Sequence, residues 1–119
     1  MSRARETPAP LRGEIWMVDF GTPIGHEQGY RRPAVVVSAD RLNRSRADLA
    51  IVVPMTRTRC GLPSHIEVEP GESGLREVSY AKCEDVKSVS IERLTRRVGL
   101  ASPTELRGIV QVIVLLVDG

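Results

Sequence analysis

The stretch from Ser102 to Val117, SPTELRGIVQVIVLLV, is the one part of this chain with the length and periodicity of a helix. Ser102 can accept a hydrogen bond from the third helical residue, Pro103 suits the first turn, and Glu105 stands where its side chain reaches back to complete a capping box. Leu106, Ile109, Val110, Ile113 and Val114 then recur at the spacing of one apolar face, which Leu116 and Val117 extend. Past Gln111 the segment is apolar nearly all round, pointing to cover by a second subunit. Everything upstream comes in pieces of strand length. Short strands followed by one long helix imply a mainly β fold with some α, a small, strongly bent sheet or barrel with the helix packed on it.

The strand-length pieces differ in what they ask of the fold. RGEIWMVDF, from Arg12, offers Ile15 and Met17 or Trp16, Val18 and Phe20 to two faces and stops at Gly21, Thr22 and Pro23. PAVVVS, from Pro33, is unbroken and apolar, so both its faces should be buried. LAIVVPM, from Leu49, reads as a third strand whose Pro54 limits pairing at the far end, and the polar ADRLNRSRAD before it suits a helical turn. SHIEVEP alternates, with Ile66 and Val68 on one side and His65, Glu67 and Glu69 on an exposed one. VSYAKCEDVKSV supplies a further strand with room for a bulge, and SIERLTRRVG a helical turn and a short strand. Residues 1–10 lack periodicity and are expected to form a disordered leader, leaving 11–119 as a single domain.

With 3% aromatic residues the core must be filled by branched aliphatics. The net charge of +2 permits nucleic-acid binding without demanding it, but arginine outnumbers lysine, and its planar fork suits phosphate. Cys60 and Cys83 lack metal-ligand spacing, no signal segment precedes them, and no apolar run is long enough to span a bilayer. The expectation is a cytoplasmic protein with reduced thiols, no metal and no membrane partner.

GHEQGYRRPAVVVS, from Gly25, crowds His26, Glu27, Arg31 and Arg32 against the start of a buried strand. Singly, each residue has an ordinary reading: a solvated histidine, a Glu27–Arg31 pair, arginines blunting a strand edge. Arg32, however, directly precedes Pro33, which holds its backbone extended and places a guanidinium at the mouth of a rigid strand. A positioned guanidinium is what a transferring phosphoryl group requires.

In order and spacing, RGEIWMVDF, GHEQGYRRPAVVVS, IVVPMT, KCEDVKSV and ERLTRRVG together resemble the MazF/PemK-like toxins of bacterial toxin–antitoxin pairs, over nearly everything after Pro10. The resemblance implies an SH3-related barrel, a homodimer, and sequence-specific, metal-independent cleavage of single-stranded RNA, messenger RNA first and transfer or ribosomal RNA besides, with no cofactor. It places the family's catalytic arginine at Arg32 and threonine at Thr56, with His26 and Glu27 at its Gly-His-Glu-Gln positions. Glu84 falls where the family carries an aspartate, with Asp85 beside it, a departure from the pattern.

The chemistry fits those residue types. Ribose carries its own nucleophile, so Arg32 and Thr56 need only stabilise phosphorane charge while His26, Glu27 or Glu84 moves protons, giving 2′,3′-cyclic phosphate and 5′-hydroxyl ends. Arg31, Arg57, Arg59, Lys82 and Lys87 are candidates to track the RNA backbone. Tyr30 is the stacking candidate, since Trp16 also reads as core. The expected protein partner is a cognate antitoxin with an acidic, partly disordered segment that mimics RNA charge. The alternative reading is a non-catalytic module that binds nucleic acid or peptide on the same barrel.

Overall fold

None of the β-branched runs can bury itself alone, and the computed structural model, which describes residues 9–21 and 30–119, shows how they cover one another. The strands are β1 (Glu14–Asp19), β2 (Arg31–Val36), β3 (Leu49–Thr56), β4 (His65–Val68), β5 (Ser79–Lys82), β6 (Lys87–Ser90) and β7 (Leu94–Leu100). The helices are a single turn, α1 (Asp40–Asn43), and the long α2 (Pro103–Asp118). All pairings are antiparallel, in the order β4-β5-β3-β2-β1-β7, with β6 also pairing β3.

β3 is the hinge of this arrangement. Its residues 49–52 pair with β6, whereas Met55 and Thr56 pair with β5. Pro54, which has no N–H to donate, falls in the gap between the two partners and keeps only its β2 neighbour, Ala34. One edge of β3 therefore changes partner around Pro54, and the strands bury two cores. Val35, Val53, Met55 and Ile15 face α2, together with Val68, Ala81 and Ile109; Ala34, Val36, Val52 and Val18 face the opposite way and pack with Ala50, Val89 and Leu94. The apolar PAVVVS run is thus buried on both faces, as its composition predicts. The run expected as one bulged strand is instead cut by a 3-10 turn at Cys83–Asp85 into β5 and β6.

α2 begins as its sequence predicts. Ser102 accepts from Glu105 N at 3.0 Å, and Glu105 Oε1 accepts from Ser102 N at 2.9 Å. Its second oxygen accepts from Glu69 N at 2.9 Å, tying the helix start to the end of β4. Beyond the buried Ile109, Val114, Leu115, Leu116 and Val117 are exposed.

Two sequence expectations need correction. His65 is not an exposed strand residue: its side chain is 3% exposed, and Nε2 lies 2.8 Å from Glu84 Oε2. The chain turns back through Cys83–Asp85 and places Glu84 over the end of β4. Nor does Pro54 limit pairing at the far end of its strand, because Met55 and Thr56 beyond it pair with Ala81 and Tyr80 of β5; residues 1–8 of the expected leader lie outside the described residues.

Candidate active site

The register of β2 and β3 runs Val36↔Val52, Val35↔Val53, Ala34↔Pro54. Extended by two residues, it sets Arg32 opposite Thr56, and both line one open groove of about 660 Å³ at this end of the sheet. β1 and β7 complete the floor: Met17 pairs with Pro33 on one side and Arg96 on the other. Met17, Pro33, Met55, Leu75 and Val98 supply apolar surface. Around it stand Arg31, Arg32, Arg57, Arg76 and Arg96, with Glu77 the one acid among the described lining residues. Five guanidiniums against one carboxylate make a concave anion site suited to a phosphate chain.

The side chains expected to do chemistry are held by backbone. Arg31 and Arg32 begin β2 in extended geometry, paired with Asp19 and Val18, as the following proline dictates. Thr56 Oγ1 accepts from Thr58 N at 3.1 Å, which orients the hydroxyl and leaves its proton for an external oxygen. Arg57 Nη1 lies 3.5 Å from Glu77 Oε2. Tyr30, 66% exposed, adopts a left-handed φ of 58°, and its carbonyl accepts from Phe20 N at 2.7 Å, closing the base of the connection between β1 and β2. His26 and Glu27 belong to that connection and lie outside the described residues.

Other candidates are placed elsewhere. Glu84 is not in the groove lining: it accepts from Ser64 Oγ at 2.7 Å and pairs with His65. Burial alone would raise its carboxyl, but the Ser64 and His65 hydrogen bonds outweigh it and hold the group below 4.5. Lys82 pairs with Asp85 at 3.1 Å. The Lys87 ammonium sits 5.3 Å from the centroid of the Phe20 ring. Arg59 is exposed beyond β3 and does not line the groove. Trp16 packs against the second core and donates to Glu14 Oε1 at 3.1 Å, so it is no stacking platform. Cys83 is buried, and burial followed by the Glu84 charge pushes its thiol up to about 11, while Cys60 is exposed.

Arg76, Glu77 and Arg96 are lining residues that sequence reasoning missed. Arg96 and Val98 share one face of β7 by simple alternation, a signal available in TRRVG. Arg76 and Glu77 sit in an irregular segment whose position depends on a long-range contact, which no local pattern reveals.

Residues 11–117 match the model of the PemK-like, MazF-like toxins of type II toxin–antitoxin systems. The chain belongs to this family. It is 36% identical over 112 residues to endoribonuclease MazF9 of Mycobacterium tuberculosis, covering 90% of this chain and 95% of that one. A crystal structure of MazF from Deinococcus radiodurans superposes with a TM-score of 0.82 at 24% identity, covering 95% of this chain and all of the other. An endoribonuclease solved in complex with its cognate antitoxin, from a mycobacterial species, superposes at 0.74 with 21% identity, covering 92% and 95%. In this MazF/PemK-like chain the Arg-Pro step opens β2, and Pro-Met-Thr closes β3 beside it.

Proposed function

We propose that this protein is a toxin that cuts single-stranded RNA without a metal, at the phosphate held between Arg32 and Thr56. The observation that carries the reading is their convergence on one arginine-lined groove. The nucleophile is the ribose 2′-oxygen. It loses its proton to a base and forms a bond to phosphorus while the bond from phosphorus to the 5′-oxygen breaks. The leaving oxygen takes up a proton, so the ends are a 2′,3′-cyclic phosphate and a 5′-hydroxyl. Arg32 donates to the non-bridging oxygens where charge develops, and the Thr56 hydroxyl adds a second donor. His26 and Glu27 are assigned the proton transfers, in preference to Glu84, whose carboxylate is engaged with Ser64 and His65.

The relatives' names support the same activity, and the solved complex supports neutralisation by an antitoxin. An acidic, partly disordered antitoxin segment laid along the arginines would block the groove by charge mimicry. The exposed Val114–Val117 end of α2 supports a homodimer, since a second copy would cover it. No helix among the described residues is long and apolar enough to cross a membrane, which is compatible with the cytoplasmic site of action proposed here.

The test incubates the purified protein with a long single-stranded RNA in EDTA, beside Arg32→Ala and Thr56→Ala. Discrete cuts bearing cyclic-phosphate ends, lost in both variants, are expected. RNA that is bound but left intact would overturn the nuclease reading in favour of a binding module.

A further inference from the structure

The groove holds one feature that phosphate binding does not explain. Glu77 projects a carboxylate among five arginines, where it repels any phosphate brought beside it. Its place is built rather than incidental. The preceding segment lies on β7 so closely that a Cβ added at Gly74 would stand 2.0 Å from the Val98 carbonyl oxygen. Leu100 N donates to Glu72 O at 2.9 Å, and Ser79 Oγ donates to Glu77 O at 3.3 Å. The backbone of Glu77 is therefore fixed from both sides. Its side chain and that of Arg57 are 63% and 77% exposed. An ion pair so open adds little to stability and leaves both head groups accessible to a ligand.

We propose that Glu77 is a base-reading residue, selecting with Arg57 a guanine at one position of the RNA strand. This rests on the groove being the RNA site. The pair presents a donor, Arg57, beside the two acceptor oxygens of a carboxylate. The Watson–Crick edge of guanine presents the complement, the O6 acceptor beside the N1–H and N2–H donors, and single-stranded bases expose that edge. Adenine and cytosine offer the carboxylate one amino group. Uracil offers one N–H flanked by two carbonyl oxygens, which meet the carboxylate with like partial charge.

The test uses a pool of single-stranded RNAs randomised over a short window and maps every cut by sequencing, for the wild type, Glu77→Gln and Glu77→Ala. The expected wild-type cutting motif contains a guanine at one position, preferred over uracil by about tenfold or more. Both variants should flatten that preference by about the same factor while leaving the other motif positions as they were. A wild-type motif without guanine, or a guanine preference that survives in both variants, would overturn the assignment. Should the wild type bind RNA without cutting, the nuclease reading fails by itself. The same pool, selected by binding, then tests Glu77 independently: guanine enrichment lost in both variants supports it, and equal composition in all three bound pools refutes it.

Discussion

Gly99 and Gly108 take the same substitution to opposite outcomes, and the difference follows from their surroundings. A Cβ added at Gly99 would stand 2.2 Å from the Ser73 carbonyl oxygen, 2.3 Å from its carbon and 2.5 Å from the Glu72 oxygen. Those are backbone atoms, so relief requires moving the 70–78 segment off β7 by roughly 1 Å, well beyond what packed interiors absorb freely. That movement stretches the 2.9 Å bond from Leu100 N to Glu72 O. Overpacking of about 1–3 kcal/mol plus about 1 kcal/mol for the weakened bond gives Gly99→Ala a cost of about 2–4 kcal/mol. For a chain of this size that lowers the Tm by about 10 °C. Gly108 lies inside α2, where the new methyl would meet only Ile66 Cγ2 at an ordinary 3.9 Å. Gly108→Ala should therefore stabilise by about 0.5–1 kcal/mol through the helix backbone. Urea titrations of the two variants and the wild type read both signs. A Gly99→Ala protein within about 0.5 kcal/mol of wild type would refute the close backbone approach that seats the groove wall.

Ile109→Ala, at a fully buried position in the core under α2, should cost about 2–5 kcal/mol in the same titration. Glu14 is nearly buried; burial would raise its carboxyl, but bonds from Leu11 N, Trp16 Nε1 and Arg97 Nε outweigh this and hold it below 4.5. The stability it adds is thus complete above the unfolded value and is lost as pH falls through the depressed folded one. The difference between wild type and Glu14→Gln should shrink on acidification, and a pH-independent difference would contradict it. Arg96→Ala should weaken RNA binding and reduce the salt dependence of log K by about 0.7, the share of one single-strand phosphate, in titrations at several salt concentrations.

How legible the fold is depends on the range of the interaction that decides each part. The capping box at Ser102 and Glu105 and the two-faced burial of PAVVVS rest on neighbours in sequence, and each is found where the sequence puts it. Pro54 reads as a limit on its strand, yet β5 arrives from a distant segment to pair with Met55 and Thr56 beyond it. His65 reads as exposed because alternation knows only its own strand, whereas Glu84 arrives from nineteen residues away. The 3-10 turn that brings Glu84 there also separates it from the groove. Arg32 and Thr56 are paired in the sequence only through the family resemblance, and the register of β2 and β3 brings both to one groove. Arg76 and Glu77 owe their place to Gly74 lying on Val98, a contact between segments whose local sequences do not refer to each other.

The most direct test of the account is a crystal structure of the protein with a short RNA made uncleavable by a 2′-deoxy sugar at the cut. The scissile phosphate is expected in the groove, its non-bridging oxygens within hydrogen-bond distance of the Arg32 guanidinium and the Thr56 hydroxyl. An RNA strand seated elsewhere, for example along the shallow depression between Arg12 and Arg107 at the start of α2, would contradict it.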